Sequence, residues 1–416
     1  MAGVEFSEET RQQYTERAGS ADIVVGIAGP VAPEELRARA GKVMEELGSS
    51  VGSLRFAFAW PGPADSGGPS GAERNGHDFV SFVPFSPPAS GPEFWSDVSA
   101  NQRAILALAA SLHARACIVL GADLAALQPH IIQLFSWTIL ERHCGLVLPV
   151  YPTKKYDALI NSGILAPLHR ALYGRRIRFP LVYEFAVSGA MAEMLGRQQR
   201  ASEQASLLWP VAQAATHSQQ PTLGQVFIDA RHQAATPGLE LSAVLGQLAG
   251  SLFYEMERDA PHWQRIRGSQ AVPSWGTAPE DTGEIEPGDA QPMLDSFLLG
   301  SKNLDEVWRL VLPPNSMLEL RRLTRLPAEQ FHMPDTLWAG IVYDFALAWR
   351  LRSISRIHLV GALTPLYLGW VASYVREVSS LTRGAAEQRL EQNFRAWEEK
   401  KPYLVSRWRW PDRFNP

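Results

Sequence analysis

Ala116-Cys117-Ile118-Val119-Leu120 is an unbroken apolar run, and Gly121-Ala122-Asp123 follows it directly. Continuous apolar runs of this length are typical of strands that are buried on both faces of a parallel sheet, whereas half-exposed strands alternate polar and apolar residues. An acid directly after such a strand lies at the carboxyl end of the sheet, where ligands of open α/β sheets bind. The run therefore predicts both the fold class and a place for the site.

Apolar runs and helical periodicities alternate over the first 150 residues. Predicted strands cover residues 23–27, 54–60, 116–120 and 146–150, and predicted helices begin at Pro33, at the N-cap Ser99 and at Pro129. Proline suits the first turn of a helix because its φ is already helical, and serine caps a helix through its side-chain oxygen. Strands and helices that alternate in this way form a mostly parallel, Rossmann-like sheet with helices on both faces.

The remainder of the chain is predicted to be mostly helical. Apolar residues recur at helical spacing in residues 239–256, 338–349, 357–375 and 385–397. Residues 271–292 are rich in Pro, Gly, Asp and Glu and predict a linker, because little in them could enter a core. The predicted organisation is an α/β domain over residues 20–270, this linker, and a helical C-terminal region over residues 293–416.

The composition is that of a folded protein without an affinity for nucleic acid. Hydrophobic residues make up 46% of the 416 residues, which is enough for a real core. The 39 Lys and Arg residues against 43 Asp and Glu residues give a net charge of −4, too balanced for a nucleic-acid-binding surface. Cys117 and Cys144 lie in apolar runs, which favours buried thiols over a disulfide or metal ligands. The N-terminus has neither a signal peptide nor an anchor, so we expect a cytoplasmic protein.

Two segments bear on membrane contact, which we do not expect. Residues 357–375 contain no Asp, Glu, Lys or Arg, but Gly361, Pro365 and Gly369 interrupt them, so a buried helix is favoured over a membrane span. Near the C-terminus, Trp408 and Trp410 lie among basic residues. They could lie at a lipid interface or pack back on the domain.

Asp123 is the first candidate for a metal ligand. Carboxylates bind hard divalent cations, whose charge neutralises a diphosphate, although a single Asp after a strand also caps the following turn. His232 is compatible with a metal ligand and with an ordinary loop residue. The chain contains no Walker phosphate loop, GxGxxG fingerprint, paired CxxC, HExxH or GxSxG elbow, so hydrolase, redox and ATPase functions lose their simplest support.

The densest polar cluster of the sequence runs from Lys154 to Arg178. Its charged and polar members are Lys154, Lys155, Tyr156, Asp157, Asn161, His169, Arg170, Tyr173, Arg175, Arg176 and Arg178. With seven cations, His169 included, against one acid, the cluster could hold phosphate or carboxylate, to which Arg makes forked contacts. A solvated helix face is the alternative.

Glu184 lies inside the apolar run from Phe179 to Val187. Burial there would favour the neutral form of its carboxyl group and suit it to proton transfer. A buried pair with one of the nearby arginines is the competing interpretation.

Four stretches of the chain carry a resemblance to a known family. They are Tyr156-Asp157-Ala158-Leu159-Ile160-Asn161, Arg170-Ala171-Leu172-Tyr173-Gly174-Arg175-Arg176-Ile177-Arg178-Phe179-Pro180, Val342-Tyr343-Asp344-Phe345-Ala346 and Leu363-Thr364-Pro365-Leu366-Tyr367-Leu368-Gly369. The chain resembles the family 2-like nucleotide-sugar glycosyltransferases of the GT-A fold, especially those near mannosylglycerate synthase and glucosyl-3-phosphoglycerate synthase. The resemblance extends over most of residues 20–380.

The resemblance implies that a sugar is transferred from a nucleotide diphosphate sugar to a small acceptor, which can be acidic. It also implies Mg²⁺ or Mn²⁺, held by an Asp-x-Asp pair and a later His. On the matching positions Asp123 is the second acid of the pair, His232 is the His, and Glu184 is the acid near the acceptor. Gly121 stands where the family has the first acid of the pair.

The expected function is therefore that of a hexosyltransferase with an altered donor site. Glu184 would act as a base or hold the acceptor, and the substrate-binding candidates are Lys154, Tyr156, Asp157, Arg175 and Arg178. The alternative is a catalytically silent GT-A-like scaffold or binding protein, because the departures from the family pattern fall on the nucleotide side. Self-association into a homo-oligomer is left open.

Overall fold

The computed structural model describes residues 12–16, 19–48, 52–63, 80–86, 95–121, 124–197, 207–216, 222–229, 240–278 and 289–410. The chain divides into two compact units. The first consists of Met1–Pro152, Phe179–Ala230 and Val272–Pro279, and the second of Thr153–Arg178, Arg231–Ala271 and Glu280–Pro416. The units interleave along the chain, because each unit is formed by segments that are far apart in the sequence.

The strands, in chain order, are β1 (Ile23–Ile27), β2 (Phe56–Pro61), β3 (Val80–Phe85), β4 (Ala116–Leu120), β5 (Leu146–Val150), β6 (Arg175–Arg176), β7 (Phe185–Ser188), β8 (Leu223–Phe227), β9 (Gln270–Ala271) and β10 (Ser274–Trp275). The helices are α1 (Pro33–Leu47), α2 (Ser96–Ser111), α3 (Pro129–Leu140), α4 (Ala166–Tyr173), α5 (Gly189–Gly196), α6 (Pro210–Thr216), α7 (Leu241–Arg258), α8 (Ala260–Trp263), α9 (Gln291–Asn303), α10 (Asp305–Val311), α11 (Pro314–Leu323), α12 (Asp335–Leu351), α13 (Arg356–Val378) and α14 (Arg383–Arg409). A π-helical turn at Asn161–Leu165 precedes α4.

The first unit is built on a large, mostly parallel sheet, as predicted. Its strand order is β10-β8-β5-β7-β4-β1-β2-β3. Strand β7 is antiparallel to both of its neighbours, β4 and β5, and the other paired strands are parallel. Strands β1 and β4 are buried along their whole length, which agrees with the continuous apolar runs in the sequence.

Four strands of this sheet, β3, β7, β8 and β10, were not predicted from sequence. Strand β3 contains Pro84, which cannot donate to a ladder and therefore suits an edge strand. Strand β3 is the last strand in the sheet order and therefore lies at one edge of the sheet. Strand β10 lies inside the predicted linker over residues 271–292, and residues 279–288 of that linker lie outside the described residues.

The predicted helix starts at Pro33 and Pro129 are confirmed by α1 and α3. The predicted N-cap at Ser99 is wrong, because α2 begins three residues earlier, at Ser96. The Ser99 hydroxyl instead accepts a hydrogen bond of 3.2 Å from the backbone N–H of Leu208. It therefore ties α2 to a segment about a hundred residues away.

Both cysteines are buried free thiols within the first unit, as the apolar runs predicted. Burial raises the pKa of both Cys117 and Cys144 above the usual value for a thiol. Both thiols are therefore poor nucleophiles in the folded protein.

The second unit is mainly helical, and the predicted helices of the last third of the chain are confirmed by α12, α13 and α14. Helix α13 includes the uncharged stretch of residues 357–375 and is largely buried. Its Trp370 stacks on Trp338 of α12 with ring centroids 6.3 Å apart, and on Tyr374 at 5.5 Å. Among the residues described, no helix combines the length and the apolar character needed to cross a bilayer.

The aromatic residues near the C-terminus differ from each other in exposure. Trp408 is buried and packs edge-on against Trp263, with ring centroids 5.2 Å apart. Trp410 is 70% exposed. Packing on the protein is thus confirmed for Trp408, and residues 411–416 lie outside the described part of the chain.

Asp344 of α12 is buried against two residues of α14. The Tyr403 hydroxyl donates to both carboxylate oxygens at 2.8 Å, and Nε of Arg407 lies 3.4 Å from Oδ1. Burial raises the pKa of Asp344 to about 7, although the bonds from Tyr403 and Arg407 act in the opposite direction. The carboxyl group therefore titrates near neutral pH in the folded protein.

We expect this group to make stability depend on pH. Between the pKa of the unfolded chain, near 3.8, and about 7, the folded state binds the proton more tightly than the unfolded state does. The free energy of unfolding should therefore fall as the pH rises through this window, by up to about 1.4 kcal/mol per pH unit from Asp344. In urea denaturation at pH 5, 6 and 7, Asp344→Asn should show a shallower fall than wild type, and parallel slopes would contradict the assignment.

Candidate functional site

The carboxyl ends of β4 and β5 and the amino end of β7 meet at one edge of the sheet. Strands β4 and β5 end there, while the antiparallel strand β7 begins there, with Phe185 paired to Val119. Gly121, Tyr151 and Glu184 therefore lie at the same edge, each next to the end of its strand. We call these three residues the strand-edge site.

This edge lies next to the point at which the order of successive strands in the sheet reverses. Strands β2 and β3 lie on one side of β1, and β4 lies on its other side. Ligands of open α/β sheets bind outside the carboxyl ends of the strands at such a switch point, because the loops on the two sides diverge and leave a crevice. The sheet topology therefore favours the loops after β1 and β4 as a ligand-binding region.

Glu184 and Tyr151 form a buried pair in the strand-edge site. Glu184 is 9% exposed and Tyr151 is 3% exposed. The Tyr151 hydroxyl donates a hydrogen bond to Oε2 of Glu184. Burial and then the charge of Glu184 raise the pKa of Tyr151 well above its usual value, so the phenol remains protonated and acts as the donor. This bond fixes the position of Oε2 of Glu184.

The other oxygen of Glu184 lies against Gly121. A Cβ atom at position 121 would lie 2.7 Å from Oε1 of Glu184 and 3.3 Å from Cβ of Tyr183. Real Cβ atoms essentially never approach an atom that closely, so a side chain at 121 would have to displace the carboxylate. The Glu184 carboxylate therefore lies where a side chain of residue 121 would begin.

Helix α2 supports the backbone that carries Glu184. Trp95, just before α2, donates from Nε1 to the Tyr183 hydroxyl, and Nε2 of Gln102 donates to the Tyr183 carbonyl at 3.2 Å. On the same helix, Nδ2 of Asn101 donates to the Ala28 carbonyl at 2.9 Å, immediately after β1. The helix thus links the turn after β1 to the backbone that positions Glu184.

The two metal ligands implied by the family resemblance, Asp123 and His232, lie outside the described residues. Among the side chains that the structure describes, no group of three or more His, Cys, Asp and Glu is placed to hold a metal ion. At the strand-edge site Glu184 contributes a single carboxylate, whose Oε1 packs against Gly121.

The polar cluster from Lys154 to Arg178 belongs to the second unit, and much of its charge is bound by the chain itself. Arg170 is buried, and Glu391 and Glu398 hold its guanidinium group at 2.7 Å each. Nζ of Lys155 donates to the Leu381 carbonyl at 2.8 Å, just beyond the end of α13. His169 is fully buried, and burial lowers its pKa to about 3, so it adds no positive charge at neutral pH.

The five substrate-binding candidates of this cluster contact other residues of the second unit. The Lys154 backbone N–H donates to Oδ2 of Asp157 at 2.9 Å. Nζ of Lys155 lies 5.8 Å from the ring centroid of Tyr156, which is half-buried. Arg175 donates to Oε1 of Gln270 at 2.9 Å, across the small sheet formed by β6 and β9.

The last of the five, Arg178, donates from Nη2 to Oε1 of Glu387 at 3.1 Å. Carboxylate binding by this cluster was predicted, and the carboxylates that Arg170 and Arg178 hold belong to α14. The alternative of a fully solvated helix face does not describe Arg170, which is 3% exposed. A pair between Glu184 and a nearby arginine was the alternative for that acid, and the structure describes a hydrogen bond to Glu184 from Tyr151.

Tyr151 was not predicted as a site residue. It follows the apolar run of β5 directly, just as Gly121 follows that of β4, and this shared position is the signal that could have identified it. The antiparallel insertion of β7 between β4 and β5 brings Glu184 to it, and the sequence carries no comparable signal for that pairing.

No protein-family model matches this chain, and no curated protein matches it either. Several solved structures are similar in part. One of them is described as a mycobacterial protein, and it is 13% identical, with the match covering 61% of this chain and 80% of that chain at a TM-score of 0.37. A likeness this weak says nothing about the function of the present chain.

Proposed function

We propose that the protein is a metal-assisted glycosyltransferase of the GT-A type. It would transfer a sugar from a nucleotide diphosphate sugar to a small acceptor that can be acidic. The observation that carries the proposal is the buried carboxylate of Glu184, which Tyr151 orients at the carboxyl edge of a mostly parallel sheet. The sequence resemblance to nucleotide-sugar glycosyltransferases supports the same reaction.

The proposed roles follow from the sequence and its resemblance to the family, and for Glu184 also from its place beside Tyr151. Glu184 acts on the acceptor, as a base for its hydroxyl group or as a clamp. Asp123 and His232 hold Mg²⁺ or Mn²⁺, which supplies positive charge to the departing diphosphate, and electrostatic stabilisation of this kind is usually the largest contribution to such rates. Lys154, Tyr156, Asp157, Arg175 and Arg178 contribute to substrate binding.

A catalytically silent binding protein is the second candidate. The observation in its favour is that Gly121 removes one acid from the metal pair, while Arg170 and Arg178 are engaged with glutamates of α14. Such a protein would bind a nucleotide or sugar without turnover.

Donor hydrolysis tests the proposal directly. Purified protein incubated with UDP-sugars and GDP-sugars plus Mn²⁺ should release the nucleoside diphosphate slowly from at least one donor. Asp123→Ala should abolish this release, because the cation loses a carboxylate ligand. Nucleotide release is measured by coupled assay, with thermal shift in the presence of each nucleotide as a second readout.

The outcomes separate the two candidates. A nucleotide-induced thermal shift without turnover would favour the silent binding protein. If no donor gives either turnover or a thermal shift, the transferase proposal is ruled out.

A further inference from the structure

We propose that the second unit docks on the surface of an anionic lipid bilayer through the ends of α12, α13 and α14. This inference goes beyond the transferase proposal and does not depend on it. No helix of the described residues is able to cross a bilayer, so the proposed contact is with the bilayer surface. The sequence alone did not lead us to expect it, because the residues that carry it lie in segments far apart in the chain.

Three large apolar side chains are exposed where these helices begin or end. Leu351, the last residue of α12, is 44% exposed, and Ile357, the second residue of α13, is 82% exposed. Trp410, directly after α14, is 70% exposed. They are three of the six large hydrophobic side chains that are exposed in the described part of the chain. Single exposed apolar side chains are ordinary, whereas several together mark an interaction surface.

Specific contacts hold the three helix ends together. Arg350, in the last turn of α12, donates from Nη1 to the Trp408 carbonyl at 2.6 Å, and its guanidinium carbon lies 4.8 Å from the centroid of the Trp408 ring. Arg356, the first residue of α13, stacks on Trp349 of α12, with its guanidinium carbon 4.3 Å from the ring centroid. Each of the three exposed apolar residues lies within two positions of one of these contacts, so the three share one surface.

Exposed arginines surround these apolar side chains. Arg352 and Arg409 are adjacent in sequence to two of them, and Arg265 and Arg267 lie in the loop after α8. Nε of Arg409 donates to Oε1 of Gln264 at 2.9 Å, which brings this loop to the end of α14. Within the described ranges, none of these four arginines forms an ion pair. We call the whole surface the helix-end patch, and it consists of Leu351, Ile357, Trp410, Arg265, Arg267, Arg352 and Arg409.

The acids around the helix-end patch are already paired. Glu257 of α7 lies 3.2 Å from the guanidinium group of Arg356, and Glu255 and Asp259 are both bound by Arg258. Residues 264–270, 349–358 and 406–410 contain no Asp or Glu at all. The patch therefore presents a net positive charge, and a negatively charged partner is complementary to it.

An anionic bilayer surface fits both the charge and the apolar side chains of the helix-end patch. Anionic headgroups attract arginines near the surface, while tryptophan and aliphatic side chains enter the boundary between headgroups and acyl chains. The three apolar side chains come from three separate helix ends and not from one continuous helix face. A bilayer takes up separated side chains without a matching shape, which a folded protein partner would have to provide.

The test is cosedimentation of the full chain with lipid vesicles. The wild type should bind vesicles of phosphatidylcholine and phosphatidylserine in equal parts, and it should remain in the supernatant with vesicles of phosphatidylcholine alone. Added salt should weaken the binding, because it screens charges at the surface. Ile357→Ser combined with Trp410→Ser should reduce the binding by about tenfold or more, because the apolar contact with the bilayer is lost.

Matched controls are available within the same unit. Leu299→Ser combined with Leu318→Ser removes two leucines that are 59% and 69% exposed outside the helix-end patch, and this variant should bind as the wild type does.

The arginines are tested in the same way. Arg265→Gln combined with Arg267→Gln should also reduce binding to the anionic vesicles by about tenfold or more. Arg322→Gln combined with Arg325→Gln changes the charge equally at exposed positions near the end of α11, and it should leave the binding unchanged. All of these positions are exposed, and thermal melting confirms that each variant is folded.

Three results would overturn the proposal. The first is equal recovery of the wild type with both kinds of vesicle. The second is full binding by Ile357→Ser with Trp410→Ser when the arginine variant has lost it, since this is adsorption by charge alone. The third is a wild type that ignores vesicles but forms a dimer in light scattering, which the same apolar variant dissociates. In that case the partner of the helix-end patch is a second copy of the chain.

Discussion

Glu184→Gln should reduce the rate of nucleotide release from the donor by about 10²–10⁴-fold, the range expected when a positioned acid or base is removed. The substitution removes the negative charge at the carboxyl edge of the sheet. Gln keeps the shape of the side chain and can still accept the hydrogen bond from Tyr151. We therefore expect a large loss of activity with a change of only a few degrees in the melting temperature.

Initial rates with the best donor and thermal melting of both proteins test this expectation. Glu46→Gln is the matched control, because it changes the net charge equally at an exposed position of α1. Glu184→Gln activity within twofold of the control would show that Glu184 takes no part in the reaction. A loss of activity that parallels unfolding would instead give it a purely structural role.

Three interior strands of the sheet were predictable because they are almost completely buried. Strands β1, β4 and β5 appear in the sequence as unbroken apolar runs, and the residues that follow them mark the edge where Gly121 and Tyr151 lie. Strand β3 escaped prediction because Ser81 and Pro84 interrupt its apolar residues, so it does not appear as a continuous apolar run. The position of β3 depends on sheet order, which local pattern does not reveal.

The partners of the charged cluster could not be predicted for a different reason. Local composition shows that Arg170 and Arg178 carry positive charge, but their carboxylates are more than two hundred residues away, on α14. Local sequence composition therefore cannot distinguish an anion-binding site from a set of internal ion pairs. Likewise, Glu184 was identified from its apolar surroundings, whereas its contact with Gly121 depends on the antiparallel insertion of β7.

Arg170→Met should lower the free energy of unfolding by about 3–5 kcal/mol, as expected when one partner of a buried ion pair is removed. The Arg170 side chain is only 4% exposed, and it lies between Glu391 and Glu398. Burial alone would lower the pKa of Arg170, but the hydrogen bonds and charges of these glutamates raise it above the usual value. Without the guanidinium group, Glu398, at 16% exposure, would retain its charge in a poorly solvated place.

Arg395→Met provides the control, because Arg395 also binds Glu391, at 3.3 Å, but is 66% exposed. Exposed pairs of this kind contribute about 0–1 kcal/mol, so this variant should remain close to wild type in urea denaturation. Adding Glu391→Gln and Glu398→Gln to Arg170→Met should recover part of the loss, since the unpaired charges disappear with their partner. Equal costs for the Arg170 and Arg395 variants would show that burial contributes nothing to this network.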